Sequence, residues 1–289
     1  MKFRDLILGV SFALIWSSAF TSARISMFDA PPFLLLSLRF FVSGIIAIGL
    51  AYILGQSINF SKSEWSAIFI FGVCQNTIYL GLNFVAMQWI DASLAATIAS
   101  LLPLVVTIFL WLFFKEQLTA LGLIGLFVGL LGLILIVYPT LQNSFNIVGI
   151  LFCLIGVLAL AIATIVVRNA TNKNMIMMIG IQMMVGSFTL LPLSIAFEVW
   201  EINLTLRLIT SFLYTTIFPG LIATLIWFKL IYFIGPIKAA AFHFLNPFFG
   251  VLIANIVLSE SLFWQQTIGV LLITMAILSL QLSNIKKST

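Results

Sequence analysis

The feature that most constrains this chain is a series of apolar runs, each about 20 residues long, that recur along almost its whole length. A helix needs about 20 apolar residues to cross the hydrocarbon core of a bilayer. Only 7% of the 289 residues are charged, whereas a soluble domain carries roughly 25%. Because so few charges cannot cover a water-facing surface, the sequence predicts an integral membrane protein without soluble domains.

Charged and turn-forming residues divide the apolar runs into ten predicted spans. Backbone amides in lipid must be satisfied within their own element, and continuous runs of this length do not alternate as barrel strands do. The predicted fold class is therefore an all-α membrane protein with ten transmembrane helices. The predicted spans are residues 6–26, 33–54, 65–89, 92–114, 118–138, 147–167, 175–197, 208–234, 237–258 and 263–283.

Basic residues are distributed unequally between the two sides of this arrangement. With the N-terminus inside, nine Lys and Arg residues lie in cytoplasmic positions and two lie in external ones. The positive-inside rule then places both termini on the cytoplasmic side of a cell membrane, which is an inner membrane or a plasma membrane. The basic residues lie singly in short connectors, which argues against a nucleic-acid partner. Lys2 and Arg4 before an apolar run also fit a signal peptide, but removing this helix would break the repeat described next.

The second half of the chain repeats the first at an offset of 144 residues. The coinciding pairs are Pro103 with Pro247, Glu116 with Glu260 and Gly125 with Gly269. Each half holds five spans, an odd number, so the second copy must enter the membrane from the opposite side. We predict two inverted five-helix repeats, residues 1–140 and 141–289, an architecture that recurs in transporters. Duplication retained only for folding is the alternative.

Several motifs carry a resemblance to a known family. They are Trp16-Ser17-Ser18-Ala19-Phe20, Leu38-Arg39-Phe40, Leu102-Pro103-Leu104, Lys115-Glu116-Gln117-Leu118, Leu245-Asn246-Pro247 and Ser259-Glu260-Ser261-Leu262. With them the chain resembles EamA-type members of the drug/metabolite transporter superfamily over almost its whole length. The resemblance implies an alternating-access carrier with a central cavity between the repeats. Family members move amino acids, nucleosides, sugars, drugs or S-adenosylmethionine.

Polar residues inside the spans are candidates for the wall of that cavity, because polar groups in a bilayer tend to face a bundle interior. Three stripes at helical spacing qualify: Asn76, Tyr79 and Asn83; Thr97 and Ser100; His243 and Asn246. The alternative is that each simply hydrogen-bonds a neighbouring helix, a contact that stabilises by about 0.6 kcal/mol on average.

Larger side chains at depth add further candidates. Arg39 could bind an anionic group such as a substrate carboxylate, or could pair with an acid or a helix end. Trp16 and Trp227 could form aromatic platforms, although core packing is a common use of such residues. Hinges are predicted at Pro103, Pro247, Pro219 and Gly220, because proline removes a backbone hydrogen bond.

The sequence contains no pattern typical of a catalytic, metal or cofactor site, and an enzyme is not expected. His243 is the one group at depth that titrates near neutral pH, so proton coupling would depend on it, while facilitated exchange is simpler. We expect a secondary transporter that exports or exchanges small metabolites such as amino acids. An importer of a nucleoside-type metabolite such as S-adenosylmethionine, or a lipid-linked carrier, is the alternative. The expected partners of this protein are a small-molecule substrate and the lipid bilayer.

Overall fold

The structure, a computed structural model, describes residues 2–141, 146–169, 174–258, 264–283 and 285–287. Within these residues seven helices are long and apolar enough to cross a bilayer, and two shorter apolar helices accompany them. The all-α membrane fold is confirmed, whereas the number of ten spans stays a prediction. The seven helices are Phe3–Ser26, Pro32–Ile53, Lys62–Ala86, Leu94–Phe114, Ile147–Val166, Met175–Phe197 and Leu206–Ile234.

Some of these spans are divided into shorter elements. The α-helices are α1 (Phe3–Ser26), α2 (Pro32–Ile53), α3 (Lys62–Phe71), α4 (Gly81–Ala86), α5 (Ala92–Ala99), α6 (Leu102–Phe114), α7 (Ala120–Leu141), α8 (Ile147–Val166), α9 (Met175–Phe197), α10 (Leu206–Thr215), α11 (Thr224–Ile234), α12 (Pro236–Ala240), α13 (Asn246–Leu258) and α14 (Trp264–Leu282). A first π segment, Gly72–Leu80, joins α3 to α4, and a second, Thr216–Ala223, joins α10 to α11. Short strands β1 (Glu116–Leu118) and β2 (Ile285–Lys287) pair antiparallel.

Helix starts follow local sequence signals. Ser61 and Glu64 form a capping box that begins α3, and the side chain of Thr205 accepts a hydrogen bond from the Leu208 amide at the start of α10. Pro32 occupies the first turn of α2, where its missing N–H leaves no bond unmade. Polar caps at these ends satisfy amides that would otherwise lack partners near lipid.

Equivalent helices of the two halves pack against each other in opposite directions. In the α2–α9 pair, the Phe33 amide near the start of α2 donates to Glu198 just beyond the end of α9, at 2.6 Å. At the other end, the Met177 amide of α9 donates to Gln56 beyond the end of α2, at 3.0 Å. Since α2 and α9 are 144 residues apart in sequence, the second half is inverted relative to the first.

The α7–α14 pair is antiparallel in the same way. A Cβ atom built at Gly125 would lie 2.9 Å from Ser279, and one built at Gly132 would lie 2.7 Å from the Gly269 carbonyl oxygen. Close approach of two helices therefore depends on glycine, as is common between helices in membranes. The domain boundary between residues 140 and 141 stays a prediction.

The first helix of each half packs against the other half. The Ser17 hydroxyl of α1 lies 3.2 Å from the Asn246 carbonyl oxygen, and Ser26 donates to the Ser211 hydroxyl of α10 at 2.6 Å. In the same manner α8 of the second half packs on the first π segment and α4. The centre of the bundle is therefore formed by both halves together.

The start of α1 and the end of α14 lie at one end of the bundle. The Arg4 guanidinium lies over the Phe233 ring at 4.0 Å, close to the turn that leads into α12. Lys238 of α12 donates to the Gln281 carbonyl oxygen at the end of α14, at 2.8 Å. We call this the terminal end and the other one the opposite end.

Ion pairs join the connectors at each end. At the terminal end, Arg168 pairs with Glu116 at 3.0 Å. Glu260, the repeat counterpart of Glu116, lies outside the described residues. At the opposite end, Asp29 receives two hydrogen bonds from Arg207, both at 2.8 Å. These bonds, with one from Thr205, hold the pKa of the Asp29 carboxyl below its usual 3.8.

Candidate substrate cavity

A small cavity lies between α1, α2, the third membrane span (Lys62–Ala86) and the second π segment. The part of the cavity that the centre of a water molecule can occupy has a volume of about 10 Å³. This is enough for roughly one ordered water. Entry of any ligand larger than water therefore requires these elements to move apart. The lining residues are Trp16, Ala19, Phe20, Arg39, Leu80, Asn83, Phe84 and Pro219.

Arg39 places a guanidinium group in the wall of this cavity. The residue is 3% exposed, and its Nε and Nη1 atoms have no hydrogen-bond partner among the described residues. Gly220 of the second π segment lies beside it: a Cβ atom there would be in ordinary contact with Arg39 Nε, at 3.8 Å, and closer to the Ser43 hydroxyl, at 3.0 Å. A buried cation with free donors is an arrangement suited to an anionic ligand.

Asn83 contributes a free acceptor to the same wall. Its amide nitrogen donates to the Tyr79 carbonyl oxygen at 2.7 Å, whereas its Oδ1 atom is buried and has no partner in the described part of the chain. The side chain fits because residue 156 of α8 is glycine: a Cβ atom at Gly156 would lie 2.7 Å from Asn83 Nδ2. Asn83 thus adds a hydrogen-bond acceptor near the Arg39 donors.

Trp16 connects the cavity to an aromatic layer. Its ring lies parallel to that of Tyr79, with centroids 6.4 Å apart and an interplanar angle of 9°. The indole N–H lies near the Tyr79 hydroxyl without meeting hydrogen-bond geometry, and both groups are buried. Of the two rings, Trp16 lines the cavity, and Tyr79 lies behind it.

Phe12, Trp16, Trp227 and His243 form what we call the aromatic cluster. Phe12 stacks on Trp227 at 4.9 Å, and the His243 ring stands edge-on to Trp227 at 5.0 Å and to Trp16 at 6.0 Å. Phe12 is one helical turn before Trp16 on α1, so the cluster lies between the cavity and the terminal end. It closes the bundle on that side.

The structure brings together only some of the predicted cavity residues. Trp16, Arg39 and Asn83 line the cavity, and Tyr79, Trp227, His243 and Asn246 lie in or beside the aromatic cluster. Asn76 instead donates to the carbonyl and side-chain oxygens of Gln182 on α9. Ser100 donates to the Ala96 carbonyl oxygen of its own helix at 2.9 Å, and Thr97 is buried.

The prediction that Asn76, Tyr79 and Asn83 share one face was wrong for Asn76. It assumed α-helical geometry, but Asn76 and Tyr79 belong to the first π segment, where i→i+5 hydrogen bonds widen the turn and change which residues align. Asn76 consequently points at α9, and the other two residues point at α1 and α8.

Two of the predicted hinge prolines, Pro103 and Pro247, occupy helix starts rather than helix interiors. Pro103 lies in the first turn of α6, after a break between Ala99 and Leu102, and Pro247 is the second residue of α13, after a 3₁₀ segment, Ala241–Leu245. Pro219 and Gly220 lie in the second π segment. These breaks and π turns are positions where the backbone deviates from the α-helix, and the hinge role of the four residues stays a prediction.

Sequence reasoning missed the apolar part of the wall. Phe20, Leu80 and Phe84 cannot be separated by type from the many lipid-facing apolar residues of the chain. Gly156 was also missed, although the repeat contains a signal for it. Its counterpart 144 residues earlier is Phe12, an unusually large difference between equivalent positions.

Comparison with known proteins agrees with this architecture. The sequence profile of the EamA-like transporter family matches residues 4–138 and again residues 147–281. The uncharacterized transporter YvbV of Bacillus subtilis is 24% identical over 96% of this chain and 91% of its own length. An uncharacterized transporter of Archaeoglobus fulgidus is 28% identical over 93% of this chain and 94% of its own.

A solved crystal structure with 18% sequence identity superposes with a TM-score of 0.74, covering 96% of each chain, which shows a shared fold. The two matches to one family profile cover the same elements that the antiparallel helix pairs relate. The chain therefore belongs to the EamA-like transporter family and is a multi-pass membrane transporter.

Proposed function

We propose that this protein is a secondary transporter of the cell membrane that exports or exchanges small metabolites bearing a carboxylate, with α-amino acids favoured. The observation that carries the proposal is Arg39, a buried guanidinium with two nitrogens that have no partner in the described part of the chain, in the wall of a cavity between the repeats. The inverted halves supply two conformations that open to opposite sides.

Electrostatics favour an anionic ligand at Arg39. A buried charge without a partner costs several kcal/mol, so its persistence in the interior needs a compensating interaction. A substrate carboxylate would accept charge-assisted hydrogen bonds from Nε and Nη1. Asn83 Oδ1 offers an acceptor for a substrate ammonium group, and the Trp16 ring can add a cation–π contact. Phe20 and Phe84 would contact an apolar side chain.

The distribution of charge supports an orientation with both termini in the cytoplasm. The terminal end carries most of the basic connectors, which the positive-inside rule assigns to the cytoplasm. In that orientation the cavity lies on the external side of the aromatic cluster, and the cluster closes the cytoplasmic side. Release or loading on the cytoplasmic side would then require Phe12 and Trp227 to separate.

Counterflow in proteoliposomes tests the proposal. Purified protein is reconstituted, and exchange of radiolabelled neutral α-amino acids is measured one at a time. We expect counterflow for at least one of them. Arg39→Met should lower it roughly 10- to 100-fold, since a hydrogen bond to a charged group contributes about 1.5–3 kcal/mol.

Lys229→Met is the matched control, because it removes a positive charge from a span at a residue that does not line the cavity. Its counterflow should stay within about threefold of the parent, below the roughly tenfold change that 1.4 kcal/mol produces. Equal losses in the two variants, or exchange only of S-adenosylmethionine or a lipid-linked substrate, would remove the proposal.

A further inference from the structure

A chain of three buried polar side chains crosses from one half of the molecule to the other beside the cavity. The Asn246 amide nitrogen lies 2.9 Å from His243 Nδ1. The Ser17 hydroxyl of α1 lies 3.4 Å from Asn246 Oδ1 and 2.6 Å from the Ala13 carbonyl oxygen. All three residues are at most 1% exposed, and His243 Nε2 has no partner among the described residues.

The local fold explains why His243 and Asn246 meet. Residues 241–245 form a 3₁₀ segment, in which side chains three positions apart eclipse one another. Because the amide nitrogen of Asn246 faces Nδ1, Nδ1 is the acceptor and the neutral imidazole carries its hydrogen on Nε2. A further proton can therefore add only at Nδ1, the atom that Asn246 now occupies.

We propose that His243 is a proton-binding site of this transporter and that the His243–Asn246–Ser17 chain reports its protonation to the other half. This inference rests on the proposed function. A proton taken from water adds at Nδ1 to give an imidazolium, and the Asn246 amide must then turn so that Oδ1 accepts from Nδ1–H. The Ser17 hydroxyl already donates its one hydrogen to the Ala13 carbonyl oxygen at 2.6 Å, so the amide nitrogen, once turned towards it, becomes a donor to Ser17 Oγ.

The surroundings of His243 keep its ring neutral in the described conformation, because the ring is buried and the charged groups around it are mostly cationic. The rings of Phe12, Trp16 and Trp227 flank it at interplanar angles of 71°, 80° and 88°, so the ring takes up a proton only in a conformation in which these rings separate and water reaches it. No acidic side chain of the described residues lies in the cluster. The charged residues of the elements packed around it are Arg4, Asp5 and Arg24 of α1, Lys229 of α11, Lys238 of α12 and, across Trp16, Arg39 of α2.

This charge pattern makes proton and substrate compete. Arg39 already supplies the positive charge that a substrate carboxylate neutralises. An imidazolium at His243, one tryptophan ring away, would add a second positive charge beside the substrate's ammonium group, with no carboxylate of the cluster to offset it. The site therefore holds either a proton or a substrate, and transport exchanges one for the other.

A pH gradient across proteoliposomes separates this inference from the proposed function. Uptake of the radiolabelled neutral α-amino acids is measured with an acidic lumen, with a protonophore and without a gradient, and each rate is divided by the counterflow rate of the same preparation. In the parent protein the acidic lumen should raise this ratio several-fold, and the protonophore should abolish the rise. In His243→Gln the ratio should not respond to the gradient at any level of counterflow.

Two serine variants test the relay without touching the imidazole. Ser17→Ala should retain part of the gradient response and shift its pH profile, since His243 still binds the proton but α1 no longer senses it. Ser100→Ala is the matched control, a buried hydroxyl bonded within its own helix, and should keep the parent ratio.

The outcomes are distinct. An equal gradient response in the parent and in His243→Gln overturns the proton site and leaves the proposed function standing. A gradient response of opposite sign, with uptake favoured by an alkaline lumen, overturns the competition between proton and substrate. Absence of any counterflow in the parent overturns the proposed function itself.

Discussion

Two contacts occupy equivalent places in the two halves of this transporter, yet one is polar and the other is aromatic. In the first, Asn83 of α4 faces Gly156 of α8, and the missing side chain of Gly156 leaves room for the amide. In the second, 144 residues away in each direction, Trp227 of α11 stacks on Phe12 of α1 at 4.9 Å. The same backbone interface is therefore open on one side and filled on the other.

The difference shows that the two halves, although similar in fold, are not equivalent in side-chain packing. Two identical halves would form equal spaces on both sides of the bilayer midplane. Asn83, which faces Gly156, lines the cavity towards the opposite end of the bundle. Phe12, which faces Trp227, closes the terminal end with close-packed rings.

The two π segments show a second asymmetry of this kind. In the first, Asn76 is hydrogen-bonded to Gln182 of α9. At the equivalent place in the second, Gly220 has no side chain and the α2 residue nearby is Arg39, with free guanidinium nitrogens. In the first interface Asn76 therefore has protein partners, although Gln182 Nε2 has none among the described residues, whereas in the second the Arg39 nitrogens Nε and Nη1 have none there.

The largest effect is expected from removing the Phe12 ring from its contact with Trp227. Phe12 is fully buried, and Phe12→Ala should lower the free energy of unfolding by roughly 3–5 kcal/mol because a cavity replaces the stacked ring. Denaturation by SDS in mixed micelles measures the change. Phe113→Ala is the control, since that ring is 72% exposed on the outer surface. Similar losses in both variants would show that the cluster is not close-packed.

A smaller effect is expected from adding a side chain at Gly156, where α8 faces Asn83. In Gly156→Ala the new methyl group would lie 2.7 Å from Asn83 Nδ2. The asparagine must shift, which should cost about 1–3 kcal/mol of stability and reduce counterflow. Thermal denaturation and proteoliposome exchange measure the two effects.

Gly49→Ala provides the comparison for this substitution, because nothing lies within 4 Å of a Cβ atom at Gly49. Stability there should hold or rise slightly, since alanine favours the helix. If Gly156→Ala transports as well as Gly49→Ala, the glycine is not what holds the Asn83 site open.

The smallest effect is expected at the contact between the first π segment and α9, where Asn76 is bonded to Gln182. Asn76→Ala removes the hydrogen bonds to Gln182, and such contacts in membranes stabilise by about 0.6 kcal/mol on average. The expected result is a slight loss of stability with the half-saturation concentration of substrate changed less than about twofold, well under 1 kcal/mol of binding free energy.

Asn83→Ala is the counterpart, and it should change half-saturation more than stability. Substrate binding that weakens equally in both variants would place Asn76 at the cavity after all, and would contradict the face assigned to it by the π geometry.

Much of the helical framework was predictable from local pattern. The predicted span 33–54 corresponds to α2, Pro32–Ile53, and the predicted span 175–197 to α9, Met175–Phe197. The predicted span 92–114 is instead broken between Ala99 and Leu102. Hydropathy averages over a window, so it detects an apolar segment but does not detect a single-turn break within it.

The cavity was predictable only in part. Arg39 and Asn83 could be selected because polar groups are rare at depth and tend to face inward. The position of Asn76 could not, because one π segment changes the alignment of every later residue relative to the earlier ones. Phe20, Leu80 and Phe84 carry no chemical mark that separates the cavity wall from the lipid-facing surface.

The sequence by itself determined that the chain lies in a membrane, that it is helical, and that its second half repeats the first in inverted orientation. These properties follow from hydrophobic length, from the backbone's need for hydrogen bonds in lipid, and from an odd number of spans per repeat. Only the tertiary structure decided which side holds the cavity and which polar residues reach it. That choice depends on helix rotation and on the volumes of facing side chains, such as Gly156 and Phe12, which lie far apart in sequence and meet their partners only in the packed bundle.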